Sequence, residues 1–256
     1  MKTPIDEVID QYTVLKLKME GIDAYLSPRE VKKEKPILKK QFDLYTIAIE
    51  KFQKDGFKIK SWVDRLYRLN SKGRELESNI RRDLYKTLPK KKLEKIGKEM
   101  FRMVKVNTKR LEIKNKIAKA CPGVESEIIE VPLAELIDRY TLLKLKKERV
   151  HMLTPDQVKN EKPQLKKKLA KYTMAIEELK EKGVPVKEKW IQQFYKYHKK
   201  IWDSGENKIR HNALGLAETG KKARELRKMT KKKIEIKNKI AEESGNGFRV
   251  VKILIK

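Results

Sequence analysis

The feature that most constrains this chain is that it nearly repeats itself. Ile9-Asp10-Gln11-Tyr12-Thr13-Val14-Leu15-Lys16-Leu17-Lys18 returns as Ile137-Asp138-Arg139-Tyr140-Thr141-Leu142-Leu143-Lys144-Leu145-Lys146, 128 residues on. Glu34-Lys35-Pro36 returns as Glu161-Lys162-Pro163, Gly56 as Gly183 and Trp62 as Trp190, in the same order. Towards the end, Glu112-Ile113-Lys114-Asn115-Lys116-Ile117-Ala118 recurs unchanged as Glu235-Ile236-Lys237-Asn238-Lys239-Ile240-Ala241, now only 123 residues on. A repeat of this length is a supersecondary unit used twice. The shortened spacing puts extra residues of the first copy in a loop around Leu88-Pro89-Lys90-Lys91-Lys92. The expected domains are therefore residues 1–127 and 128–256.

Within each copy the local signals are helical. Ile5, Val8, Ile9, Tyr12, Leu15 and Met19 share one face at three- and four-residue spacing, which predicts an amphipathic helix from Pro4 to about Ala24. Ser27-Pro28-Arg29-Glu30 and Thr154-Pro155-Asp156-Gln157 both read as capping boxes with proline at the first helical position. A second helix is expected from Pro28 to about Lys54, bent near Pro36 and stopped by Gly56, with Gly183 doing the same in the second copy. A third begins near Ser61 or Lys187, and a fourth ends near Ala120 or Ser244. Two β-prone runs follow the fourth helices, Glu127-Ile128-Ile129-Glu130-Val131 and Phe248 to Ile255. The fold expected is mainly all-α: two tandem four-helix units related by pseudo-twofold symmetry, each closed by a short strand. The two strands are expected to pair with each other, and Asp10, Tyr12, Asp138 and Tyr140 are candidates for the interface between repeats.

Charge narrows the range of partners. The chain carries 65 Lys and Arg against 36 Asp and Glu, a formal net charge of +29, far above the magnitude of about 2 to 8 that keeps a small domain soluble. Such an excess points to a polyanionic partner, nucleic acid or an acidic protein surface. The residues expected to meet phosphate are the lysine runs Lys90, Lys91 and Lys92; Lys166, Lys167 and Lys168; Lys221 and Lys222; and Lys231, Lys232 and Lys233. Lysine exceeding arginine argues against base-specific reading, which favours bidentate Arg. With Cys121 alone no intrachain disulfide forms. The opening residues hold no apolar signal core and no window reaches the length of a membrane span, so the expected location is cytoplasmic or intravirion, without secretion.

Chemistry is sparse. The histidines are His151, His198 and His211. Glu148-Arg149-Val150-His151 has the Glu-x-x-His spacing of carboxylate-bridged di-iron bundles, but the first copy has no matching histidine. Gly215-Leu216-Ala217-Glu218-Thr219-Gly220-Lys221 fits most of a phosphate-binding loop, yet Lys222 stands where Ser or Thr should hold magnesium and no strand precedes it. Between Lys189 and Trp202, basic residues alternate with aromatics in a way that would suit stacking on bases. The spacing of Trp190, Phe194, Tyr197 and Ile201 is that of a buried helix face, and core is the reading adopted. No catalytic residue, metal site or cofactor is expected.

The segment Ile137 to Lys146 with Glu148-Arg149-Val150, then Ile201-Trp202-Asp203, Ile209-Arg210, Ile236-Lys237 and Ile240, resembles an uncharacterised family of small bacterial helical proteins. The likeness spans most of residues 131–256. Ser204-Gly205-Glu206 departs from it, lacking the paired acids associated with the Trp-Asp segment. The resemblance implies a helical fold and a genomic setting near surface-polysaccharide sugar transferases, with no activity attached. Three functions are thus in play: a non-enzymatic basic scaffold contacting nucleic acid or another polyanion; a structural component of a large assembly, such as a minor capsid or internal virion protein; and an accessory to nucleotide- or sugar-processing enzymes.

Overall fold

The computed structural model describes residues 1–82, 84–150, 155–204, 209 and 214–247, with backbone alone at 155–158, 160, 161 and 164. Among the described residues the protein is all-α in the main. It has eight helices, α1 (Ile5–Tyr25), α2 (Pro28–Lys54), α3 (Lys60–Arg81), α4 (Lys90–Ala120), α5 (Leu133–Glu148), α6 (Pro155–Glu181), α7 (Glu188–Asp203) and α8 (Leu216–Ser244), and two strands, β1 (Lys2–Pro4) and β2 (Glu125–Glu130).

Local chemistry sets these limits. The Ser27 hydroxyl accepts from the Glu30 N–H at 3.4 Å while the Glu30 carboxylate accepts from the Ser27 N–H at 2.9 Å, a complete capping box at the start of α2. Pro36 lies inside α2. The helix ends before Gly56, whose φ of +87° a residue with a Cβ adopts only with strain. Pro89 precedes α4, so Lys90, Lys91 and Lys92 form the first turn of that helix and the loop stops short of them. The second expected cap rests on Thr154 and lies outside the described residues.

The contacts divide the chain into two units. The first comprises Met1–Glu130 and the part of α8 that ends at Arg227; the second runs from Val131 through α7 and takes α8 from Lys228. In the first unit α1 packs on α2, α3 and α4. Its Ile5, Val8 and Ile9 meet Ile49, Phe52, Ile59, Leu66 and Ile117, all under a tenth exposed. Burying each such side chain stabilises by about 1.5–3 kcal/mol. In the second unit α5 packs on α6 and α7, and Leu133, Leu136, Ile137, Ile176, Trp190 and Phe194 are buried. Trp190 and Phe194 are therefore core.

β2 pairs antiparallel with β1, Thr3 opposite Ser126 and Pro4 opposite Glu125. β1 is a strand that the sequence reading did not include. β1 is three residues leading straight into α1 and has no alternation to betray it. The run from Phe248 to Ile255 lies outside the described residues.

One crossing in the first unit is set by glycine. A Cβ placed on Gly97 of α4 would stand 2.1 Å from the carbonyl oxygen of Leu216, and one on Gly220 of α8 would stand 1.9 Å from that of Leu93. The helices thus touch through bare backbone. Gly220, which the sequence places in a partial phosphate-loop pattern, is a helical residue serving this contact. Nearby, Arg227 pairs with Glu77 at 2.6 Å and Arg224 donates to the Leu84 carbonyl at 2.9 Å, holding α8 to the end of α3.

Candidate functional site

Two kinds of polar arrangement stand out, one buried and one exposed. The buried kind centres on Asp10 in the first unit and on Asp138 in the second. In the first, Asp10 of α1, with its carboxyl group 1% exposed, faces Arg110 of α4, which donates Nε to Oδ1 at 2.7 Å and Nη2 to Oδ2. Asn70 of α3 donates to Asp10 Oδ1 at 3.1 Å and to Thr13 at 2.8 Å. Lys114, one turn beyond Arg110, pairs with Glu7 at 2.6 Å.

The second unit surrounds Asp138 with donors as well. Asp138 of α5 meets His198 Nε2 of α7 at 2.8 Å, Lys233 of α8 at 2.8 Å and Lys237 at 2.7 Å. Lys237 also pairs with Glu135, which Arg139 holds at 2.8 Å. Residue for residue, Glu7, Asp10, Asn70, Arg110 and Lys114 correspond to Glu135, Asp138, His198, Lys233 and Lys237 at the repeat spacings.

Charge balance fixes the ionisation of these groups. Burial alone would raise the Asp138 carboxyl, but the His198 hydrogen bond and the Lys237 and Lys233 ammonium groups outweigh it and hold it far below the usual carboxylate range. Burial likewise disfavours the Lys237 ammonium, and Glu135 with Asp138 more than compensate, raising its pKa. Desolvation also works against the Arg110 guanidinium, and its bonds to Asp10 outweigh that and raise it. These partners of Asp10 and of Asp138 all belong to the same unit as their aspartate. Each cluster ties three helices together at one point, and its central aspartate is surrounded by donors.

Sequence reasoning missed His198, Lys237, Arg110 and Lys114 as members of these clusters. A signal existed: at the spacings of the sequence repeat Asn70 matches His198, Arg110 matches Lys233 and Lys114 matches Lys237, polar in every case. Tyr12 stacks on Phe42 with ring centroids 5.5 Å apart, and Tyr140 is half-buried. Matching contacts extend further. Tyr67 donates to Glu20 beneath Lys16, and Tyr195 donates to Glu148 beneath Lys144. Glu148 is thus engaged by a tyrosine, and His151 and His211 lie outside the described residues. No group of three His, Cys, Asp or Glu suited to a metal occurs among the described residues.

The exposed kind is lysine. Lys90, Lys91, Lys92, Lys166, Lys167, Lys168, Lys221, Lys231 and Lys232 are all exposed. Lys222 and Lys233 differ: both are half-buried, Lys222 pairing with Glu225 at 3.3 Å and Lys233 with Asp138. Among the described residues no helix is long and apolar enough to cross a membrane.

Comparison with family models, with curated proteins and with solved structures finds no match to this chain.

Proposed function

We propose that this protein is a non-enzymatic helical scaffold whose lysine-bearing helices bind nucleic acid or a similar polyanion. The observation that carries this reading is the state of the lysine runs. Lys90, Lys91, Lys166, Lys167, Lys168, Lys221 and Lys232 are exposed and form no ion pair among the described residues, in a chain of net charge +29. Charges that face solvent without counter-charges are available to phosphate, and binding then releases condensed counterions. Lys114, Lys233 and Lys237, by contrast, turn inward and are matched by carboxylates.

The reading includes a doubled helical module. Support comes from the matching Asp10 and Asp138 clusters and from the reciprocal pair Gly97–Leu216 and Gly220–Leu93, which is the pattern an isologous twofold contact produces. Two copies of one module supply two lysine surfaces, and linked sites bind a long polyanion more tightly than either alone.

The experiment is fluorescence anisotropy of a labelled 20-base-pair duplex titrated with the full chain between 50 and 300 mM salt. The logarithm of the binding constant should fall linearly with that of salt, by about 0.9 for each phosphate neutralised. Lys166→Ala/Lys167→Ala/Lys168→Ala should reduce that slope. Absence of binding at 50 mM salt, or binding indifferent to salt, overturns the reading.

A further inference from the structure

A cleft of about 320 Å³ opens where α3 ends and α4 begins, lined by Asn79, Arg82, Leu88, Lys92, Lys95, Ile96 and Glu99. Arg82, Lys92 and Lys95 are exposed on its rim and form no ion pair among the described residues. The helix that starts here adds to the positive field. α4 has no acidic residue in its first turn, and Pro89 supplies no side-chain cap. The N–H groups of Lys92 and Leu93 reach the Pro89 carbonyl, while those of Lys90 and Lys91 have no intrahelical acceptor. Three consecutive lysines stand where the helix dipole favours acids. A local rule broken without compensation is characteristic of a functional site.

The cleft also holds an acid whose bonding is incomplete. Glu99 is 8% exposed; its Oε1 accepts from Arg102 at 3.1 Å, while its Oε2 is buried and accepts nothing. A buried carboxylate oxygen without a donor has lost its water and gained nothing in exchange. A donor arriving with a ligand would relieve that.

The matching stretch of α8 shows that the repeat does not require these features. Lys92, Lys95, Glu99 and Arg102 correspond to Gly215, Glu218, Lys222 and Glu225. There the first turn carries Glu218, as the dipole prefers, and the ion pair is reversed, Lys222 with Glu225. At these positions α8 thus carries neither the two lysines nor the acid that α4 presents to the cleft.

We propose that this cleft binds a phosphomonoester that carries a hydroxyl or amino donor close to its phosphate. The phosphate sits among Arg82, Lys92, Lys95 and the start of α4. The donor reaches Glu99 Oε2, and Leu88 and Ile96 cover the apolar part of the ligand. The volume lies at the small end of ligand sites, about 300–1,000 Å³, and fits one sugar ring with its phosphate. This is a saturable site for one molecule, unlike the distributed lysine contacts of the scaffold.

The test is isothermal titration calorimetry of the full chain at 150 mM salt with ribose 5-phosphate, ribose and inorganic phosphate. A second arm compares one short oligonucleotide with and without a 5′-phosphate. The expected result is one ribose 5-phosphate per chain, inorganic phosphate at least ~10-fold weaker and ribose without binding. Lys92→Ala/Lys95→Ala should weaken ribose 5-phosphate ~10-fold or more. Glu99→Gln, which keeps the side-chain shape, should weaken ribose 5-phosphate ~10-fold while leaving inorganic phosphate as tight or tighter. A preference for the 5′-phosphorylated oligonucleotide assigns the phosphate to a strand end, and its absence assigns it to a free metabolite. No saturable ribose 5-phosphate binding at millimolar concentration, several molecules per chain, or affinity unchanged in Lys92→Ala/Lys95→Ala overturns the proposal. Such a failure leaves duplex binding through Lys166, Lys167, Lys168 and Lys232 untouched, since none of these lines the cleft.

Discussion

Gly97 and Gly220 lie at one helix crossing, each set against the backbone carbonyl of the residue four positions before the other. A methyl group at either site would fall at about 2 Å from a carbonyl oxygen that belongs to a rigid helix. No side chain can turn away to make room. Gly97→Ala and Gly220→Ala are each expected to destabilise the protein by about 3 kcal/mol or more, at or beyond the upper end of overpacking effects. Gly73 is the control, because a Cβ there meets only Val106 and Met103 at 3.8–4.0 Å. Gly73→Ala should stabilise by about 0.5–1 kcal/mol through helix propensity. Urea denaturation of the three variants checks this, and a Gly97→Ala protein as stable as the parent would remove the crossing from the account.

Asp138 gives a prediction whose sign depends on pH. Its carboxylate is matched by Lys233 and Lys237 and bonded by His198, so Asp138→Asn leaves two half-buried ammonium groups short of a partner and should cost about 3 kcal/mol at pH 7. The folded pKa lies below the unfolded value of about 3.9. Stability from this group is therefore complete above that value and is lost as pH falls through the folded pKa. The stability gap between parent and variant should stay constant from pH 5 to 8 and narrow below pH 4. Denaturation at pH 3, 5 and 7 measures it, and a gap that widens in acid contradicts the assignment.

How much of this was legible in the sequence follows from range. Helix limits are local, so Ser27, Gly56 and the apolar face of Ile5, Val8 and Ile9 announced them. The exact recurrence of residues 112–118 at 235–241 located the fourth helices. Pairings across the fold were hidden, because nothing near Asp10 in the chain points to Arg110 a hundred residues away. β1 escaped notice because three residues carry no period. The cleft was hidden for another reason: Glu99 looks like any surface glutamate until α3 and α4 enclose it.

The two clusters differ in the side chain that reaches the aspartate, Asn70 from α3 and His198 from α7, and that difference invites an exchange. Asn70 and His198 occupy matching positions and each meets the central aspartate, at 3.1 Å and 2.8 Å. An amide N–H serves the carboxylate as a ring N–H does, so His198→Asn should keep the bond at the expense of a small void. We expect it to cost less than half as much as His198→Ala, which loses both bond and volume. Thermal unfolding of the pair decides it, and equal losses would show that the hydrogen bond to Asp138 contributes little.

Lys18 is a cation placed against its own charge. It is half-buried on α1 beside Arg74 of α3, and desolvation, with the nearby guanidinium, lowers its pKa from 10.5 to about 8. Folding therefore opposes protonation. The penalty is fully present below pH 8, shrinks as pH rises from 8 towards 10.5 and is absent above that. Lys18→Met keeps the apolar stem and removes the ammonium, so it should raise stability by about 1 kcal/mol at pH 7, solvent at the side-chain tip moderating the effect. The same substitution should give no gain near pH 10.5. Denaturation midpoints at pH 7, 9 and 10.5 test the trend. A loss of stability at pH 7 would mean that the ammonium has a favourable partner, and a gain independent of pH would assign the effect to packing.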